Sequence, residues 1–187
     1  MVRSCIAGAM LLSLLMVAGC DGKPAAGQTP SPSTTTPTTA SPSPTPDSRQ
    51  VAAQGAIAGY RRYVQVLDAM TASGGTRTAD LPKVATGIEL AASVNQAATY
   101  RGRQIHSEGS RVVVWVKPLV VGAPTNGVIT RVTVQACHDT THITAVDRTG
   151  KSIKRPGTPN RWIDRRELWL VDGIWKVQNG RKQGAKC

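Results

Sequence analysis

The chain has 187 residues, and its 23 Lys and Arg against 11 Asp and Glu give a formal net charge of +12. It contains no GxSxG, GxxxxGK[ST], GxGxxG, CxxC or HExxH pattern. The sequence therefore gives no support to a nucleophile-elbow hydrolase, a P-loop or dinucleotide-binding protein, or a zinc enzyme. We expect no cofactor and no metal site.

The N-terminus has the three parts of an export signal. A short basic start is followed by a mostly apolar run at residues 6–17 and by the small residues Ala18 and Gly19. A dozen apolar residues fall short of the roughly 20 that a membrane-spanning helix needs. Val17-Ala18-Gly19-Cys20 resembles the lipobox of bacterial lipoproteins, which implies cleavage after residue 19 and lipid attachment at Cys20. An ordinary secretory signal, cut elsewhere, is the alternative.

Residues 20–47 form the second predicted region, the lipidated cysteine and a linker. Residues 22–46 hold seven prolines among Thr, Ser, Ala and Gly and no aromatic residue. Such a composition cannot bury enough apolar surface to fold, so we expect a disordered tether. Its threonine runs are compatible with O-linked sugar and equally with bare side chains. The predicted location is the extracytoplasmic face of the cell membrane.

The folded part, residues 48–187, has the size of one domain. Its cysteines are Cys137 and Cys187, since Cys5 would leave with the leader and Cys20 would carry lipid. In an oxidising, exported setting this leaves one possible pairing, and we predict a Cys137–Cys187 disulfide.

The first half of the domain is predicted to be helical. A helix capped by Asp47 or Ser48 extends to about residue 72, and Ser73-Gly74-Gly75 ends it. A second helical stretch covers about residues 80–100, capped by Asp80, and Gly87 divides it in two if it breaks the helix.

The second half is predicted to be strands. They cover residues 111–121, 128–137, 142–147, 161–171 and 174–178, and the last two flank the hairpin turn Asp172-Gly173. A two-residue turn pairs residue 170 with 175 and 168 with 177, so Leu168, Leu170, Trp175 and Val177 share the core face. Trp169 lies on the other face and needs a cover, either the C-terminal tail, a helix or the partner in a homodimer.

This order, two or three helices followed by a curved antiparallel sheet of four or five strands, gives an α+β fold. Together with Tyr60 and Tyr63, the segment Ala85-Thr86-Gly87-Ile88-Glu89-Leu90 and the final Asp172–Val177 hairpin, it resembles the NTF2-like cone. The resemblance is strongest to exported NTF2-like lipoproteins of high-GC Gram-positive bacteria. It implies a fold and hardly a function.

Three residues are candidates for acid–base catalysis, which enzymes of this superfamily carry out with an Asp and a His or Tyr inside the cone. They are His138, Asp139 and Asp147. If the preceding strand continues without a break, His138 points into the cone; we favour the alternative that residues 138–141 form a turn facing water. We therefore assign no catalytic residue and expect a protein that is not an enzyme.

The positive charge suggests a second kind of site. Residues 101–186 hold 16 Lys and Arg against 6 Asp and Glu. Such a field attracts polyanions, and outside the membrane these are anionic lipids or wall polymers rather than nucleic acid. The candidate residues are Lys151, Lys154, Arg155, Arg161, Arg165, Arg166, Arg181 and Lys182. A basic but unoccupied surface is the alternative.

A pocket is the third possibility. Tyr60, Tyr63, Trp115 and Trp175 would line it if the cone is open, and fill a core if it is not. We predict a membrane-anchored lipoprotein with a non-catalytic binding or scaffolding domain for an anionic envelope component or an exported protein. The alternative is a small-molecule pocket, with or without isomerase-like or cyclase-like acid–base chemistry. An open cone with buried His138 or Asp147 would favour it.

Overall fold

The computed structural model describes residues 46–183 and 186–187. The predicted signal peptide, Cys20 and the linker up to residue 45 lie outside the described residues. Within the described part of the chain, no helix is long and apolar enough to cross a membrane.

Three helices come first in the described chain. Helix α1 covers Pro46–Ala72, α2 Leu81–Val84 and α3 Gly87–Gly102. Because α1 includes Asp47 and Ser48, the prediction that one of them caps it was wrong, and the predicted linker ends two residues too late. The break in the second helical stretch falls at residues 85 and 86, just before Gly87. Asp80 precedes α2 without a side-chain capping bond and pairs with Lys83 instead.

Within the described residues, eight strands follow the helices, and four of them form the main sheet in the order β2-β5-β7-β8, with all neighbours antiparallel. Strands β1 and β6 form one further pair, and β3 and β4 another. The strands are β1 His106–Gly109, β2 Val112–Val121, β3 Pro124–Thr125, β4 Val128–Ile129, β5 Arg131–Asp139, β6 Ile143–Val146, β7 Arg161–Val171 and β8 Ile174–Gln183. The α+β prediction is confirmed, although β1 was not predicted.

The strand predicted at residues 128–137 differs from the structure at both ends. It is interrupted at Thr130, so Ile129 is buried while Val128 is half exposed. At its other end β5 continues to Asp139. This extension keeps the inward alternation going by one more residue and carries His138 into the interior.

The final hairpin has the predicted register. Leu168 pairs with Val177 and Leu170 with Trp175. Asp172 and Gly173 both have positive φ, 51° and 75°, as a type I′ turn requires. Beyond the predicted end at residue 178, β8 continues to Gln183, which pairs with Ile163 of β7.

The core lies between the helices and one face of the main sheet, which we call the inner face. Tyr60, Tyr63 and Met70 of α1 meet Val132, Val134, Leu168 and Val177 there. The opposite, outer face carries Cys137, and the predicted disulfide to Cys187 is confirmed. Trp169 is also on the outer face. The Arg131 guanidinium covers its ring at 4.6 Å, and its indole N–H donates to Glu167.

Candidate functional site

A cavity of about 500 Å³ opens between the helices, the inner face of the sheet and the β6 region. Its apolar wall includes Val64, Leu67, Ile143, Ala145 and Ile153, and its polar wall includes Glu89, Asp164 and Arg166. The volume falls within the range of small-molecule pockets, roughly 300–1,000 Å³. The cone therefore holds a cavity beside its packed core.

Of the four aromatic residues predicted for a pocket, Tyr63 lines this cavity. Tyr60 is fully buried beside it. The prediction was wrong for the two tryptophans. Trp115 lies on the outer face, because it pairs with Cys137, and Trp175 is packed in the core against α1. Trp162 of β7 takes their place on the cavity wall.

Arg166 holds two carboxylates at the base of the cavity. Its Nε lies 3.0 and 2.9 Å from the two carboxylate oxygens of Asp164, and its Nη1 donates to Glu89 Oε2. The three side chains are 11, 3 and 10 % exposed. Arg166 thus neutralises part of the negative charge of Asp164, which lies on the same strand, and of Glu89, which lies on helix α3.

Two tyrosines of α1 complete the hydrogen bonds of these carboxylates. The Tyr60 hydroxyl donates to Asp164 Oδ2 at 2.8 Å, and the Tyr63 hydroxyl donates to Glu89 Oε1. Their spacing of three residues places both on one face of the helix. Burial raises the pKa of both phenols, helped by the adjacent carboxylates, so both hydroxyls keep their protons. We call Tyr60, Tyr63, Glu89, Asp164 and Arg166, with His138, the polar floor.

His138, the sixth residue of the polar floor, has no exposed surface. Burial lowers the pKa of its imidazole and outweighs the opposing effect of Asp164, so the ring is neutral at neutral pH. Its Nε2 contacts the Tyr60 hydroxyl, whose one proton goes to Asp164; Nε2 therefore carries the hydrogen. Nδ1 then has a free lone pair and no hydrogen-bond partner among the described residues.

Trp162 separates His138 from the rim of the cavity. The imidazole stacks on the indole with centroids 4.5 Å apart and an angle of 19°. Lys182 Nζ lies 4.5 Å from the indole centroid. Elsewhere on the wall, Arg111 donates to Asp68 Oδ1 from Nε at 2.9 Å.

Gly180 makes room for the Arg166 side chain. The two residues pair across β7 and β8. A Cβ on Gly180 would lie 2.1 Å from Arg166 Cδ and 2.7 Å from the carbonyl oxygen of Arg165. A glycine within a strand often marks such a close approach, and here it lets the guanidinium reach Glu89.

The structure separates the three catalytic candidates. His138 is buried at the polar floor, so the turn interpretation was wrong for it. Asp139 and Asp147 each accept bonds from a threonine two residues later, and Asp139 also pairs with Arg161. The hydrogen bonds from Thr141 and Thr149 lower the pKa of these two carboxyl groups. Asp139 and Asp147 thus organise turns. Neither residue belongs to the cavity wall that holds Asp164 and Glu89.

The eight predicted polyanion-binding residues do not form one surface. Arg165 and Arg181 lie on the outer face, while Arg166 is buried in the polar floor and Lys182 lies on the inner side. Arg161 is paired with Asp139. Lys151, Lys154 and Arg155 lie exposed in the segment between β6 and β7, where Lys154 donates to Asn160. The eight candidates are therefore divided among the outer face, the inner side of the sheet and the segment between β6 and β7.

Sequence reasoning missed Glu89, Asp164 and Trp162 as site residues. The signal for two of them was present in the hairpin. Once Leu168 and Leu170 are assigned to the core, residues 166, 164 and 162 continue the same face. An arginine and an aspartate on a core face need partners, and that requirement points to a buried polar site. Glu89 had no such signal, because its helix is only weakly amphipathic.

The arrangement is better suited to holding a ligand than to moving protons. Burial alone would raise the pKa of Asp164, but His138, Arg166 and Tyr60 hold that pKa below its usual value. Both carboxylates already accept bonds from an arginine and a tyrosine, which leaves no poised general base on the wall. The described residues include no cluster of three or more His, Cys, Asp or Glu that could hold a metal ion.

No family model and no curated protein matches the chain. Among solved structures, it is similar to the intermembrane space region of the chloroplast protein ARC6, with 16% identity and a TM-score of 0.53 over 71% of this chain and 97% of that one. It is also similar to Aln2 from a Streptomyces species, with 16% identity and a TM-score of 0.42 over 76% and 94%. The likeness to the ARC6 region concerns the fold alone, which is α+β and NTF2-like.

Proposed function

We propose that the chain is an exported lipoprotein, held at the membrane through Cys20, whose NTF2-like cone binds a small molecule without transforming it. The observation that carries the proposal is the cavity of about 500 Å³ above a polar floor whose groups are bonded to one another. A cavity in the cone beside a buried His138 favours a small-molecule pocket over a scaffolding domain.

The lining indicates the shape of the ligand. One wall is aliphatic, with Leu67, Ile143 and Ile153 among its residues, and this wall suits an apolar body. The cavity wall also offers hydroxyl and guanidinium donors, among them Ser107 and Arg111. A few placed donors in an apolar cavity fix a ligand's orientation, so we expect a ligand with an apolar part and an oxygen-bearing end.

The protonation states of the polar groups support binding without catalysis. Tyr60 and Tyr63 keep their protons, His138 is neutral and fully buried, and Asp164 stays ionised. General acid–base catalysis works best with a group whose pKa lies near the working pH and that reaches the substrate. None of these four groups meets both conditions.

A cavity-filling substitution tests the proposal. Ala145 of β6 lies on the cavity wall, whereas its neighbour Thr144 is not part of that wall. We expect Ala145→Trp to remove a small molecule that co-purifies with the membrane-extracted full chain, and Thr144→Trp to retain it. The amount is measured by mass spectrometry of an organic extract of the denatured protein. If the wild-type chain and both variants release nothing above a blank, the proposal is wrong.

A further inference from the structure

The outer face of the main sheet carries a row of cationic side chains that do not line the cavity of about 500 Å³. Lys117 of β2 pairs with Gln135 of β5, Gln135 with Arg165 of β7, and Arg165 with Arg181 of β8. The row crosses all four strands, a width of roughly 14 Å at the usual strand spacing. Lys117, Arg165 and Arg181 are all exposed.

Two more cations lie on the same face near the hairpin. Trp169 pairs with Arg131 on one side and with Lys176 on the other. We call Lys117, Arg131, Arg165, Lys176 and Arg181 the outer cationic face. Among the residues that the structure describes, none of these five lies within 4 Å of a carboxylate. Glu167 lies among them and accepts a bond from Trp169.

The pairing of Arg165 with Arg181 is unfavourable in the isolated molecule. Like charges directly opposite each other destabilise an antiparallel pair. Folded proteins break such local rules mainly at functional sites, where a partner compensates. An external anion lying across the row would compensate here.

Aromatic and apolar groups accompany these cations. Lys117 Nζ lies 5.0 Å from the centroid of the Trp115 ring, and Arg131 covers Trp169. Leu119 and Val120 are exposed and line a shallow groove together with Arg165 and Arg181. Tryptophan, aliphatic groups and cations on one surface are typical of proteins that lie against a membrane interface.

We propose that the outer cationic face docks on an anionic lipid bilayer. A soluble polyanion would need the cations, whereas a bilayer also accommodates the indoles and the exposed Leu119 and Val120. The inference does not depend on the cavity or on a ligand in it. It concerns a surface on the opposite side of the sheet.

The test compares two double variants that remove the same charge. Arg165→Gln with Arg181→Gln alters the outer cationic face, and Lys151→Gln with Arg155→Gln alters the exposed segment between β6 and β7. Both are made in the full chain carrying Cys20→Ala, so that no acyl chain contributes. Vesicles of phosphatidylcholine with about one-third phosphatidylglycerol are compared with pure phosphatidylcholine, which measures any contribution from the apolar leader.

We expect binding to anionic vesicles in excess of neutral ones, weakening as salt rises. Each cation removed from a bilayer contact lowers binding by about fivefold, so the outer pair lowers it by about 25-fold. The loop pair should change it by less than about threefold, because a distant charge contributes little at moderate salt. Near-ultraviolet circular dichroism checks that both variants fold.

Three results would overturn the proposal. Equal losses in the two double variants would mean that net charge alone drives binding. Equal binding of the parent chain to anionic and neutral vesicles would remove the electrostatic contact. If the outer pair lost binding to long-chain polyphosphate but kept its binding to vesicles, the partner would be a soluble polyanion.

Discussion

Replacing Arg166 by methionine should expose how strongly the polar floor depends on one cation. The guanidinium contacts both buried carboxylates, Asp164 and Glu89. Methionine fills similar space but leaves two nearly buried negative charges without that partner. Removing one member of a buried ion pair typically costs about 3–5 kcal/mol. In a domain of this size the midpoint of thermal unfolding should fall by about 10–15 °C.

The loss of stability should depend on pH, and the environment of Asp164 determines the direction. In the wild-type chain the pKa of Asp164 lies below its ordinary value, which is about 3.9. Its contribution to stability is therefore complete above that value and is lost only as pH falls through the lower, folded-state pKa. Without Arg166, less opposes the burial that raises the pKa of Asp164, so this carboxylate takes up a proton more readily than in the unfolded chain. The Arg166→Met variant should therefore gain stability as pH falls from about 8 towards about 5.

Urea unfolding at about pH 8 and about pH 5, followed by tryptophan fluorescence, measures both effects. Arg165→Met is the matched control, because Arg165 is the preceding residue of the same strand and faces outward. An exposed substitution of this kind changes the free energy of unfolding by about 0.5 kcal/mol or less. The reasoning is refuted if Arg166→Met unfolds like Arg165→Met at both pH values.

Three further predictions follow from the fold and the anchor. Reduction of the Cys137–Cys187 disulfide, which closes a separation of 50 residues, should lower the free energy of unfolding by about 4 kcal/mol in the chain-entropy model; unchanged urea midpoints would contradict this. Gly180→Ala should displace Arg166 and cost about 1–3 kcal/mol, whereas Gly102→Ala, with nothing within 4 Å of its Cβ, should be near neutral in the same unfolding assay. Cys20→Ala should move the chain from salt-washed membranes to the soluble fraction and the medium on immunoblots, because high salt releases the outer cationic face; a variant that stays in the washed membranes would argue against lipid attachment.

The sequence predicted the parts of the fold that local rules determine. The Asp172-Gly173 turn and the alternation around it fixed the hairpin register, and Ser73-Gly74-Gly75 fixed the end of α1. The disulfide followed from the few cysteines left for the folded part. Each of these depends on neighbouring residues or on a simple count, so no knowledge of the tertiary fold was needed.

The polar floor could not be predicted in the same way, because it is assembled from distant parts of the chain. Glu89 and Arg166 are 77 residues apart, and Tyr60 and Asp164 are 104 apart. His138 was misplaced because its neighbours Asp139 to Thr141 have turn-forming composition, whereas pairing with Trp162 keeps His138 in the strand. Strand pairing therefore outweighed the local turn preference at His138, which is a residue of the polar floor.

The native mass of the full chain, purified from membranes of a high-GC Gram-positive host, tests the central claim most directly. A ligand-binding cone predicts a species heavier than the lipidated chain, and this excess should disappear on denaturation and in the Ala145→Trp variant. A bare mass, lighter by two hydrogens because of the disulfide and unchanged on denaturation, would contradict a retained ligand in the cone.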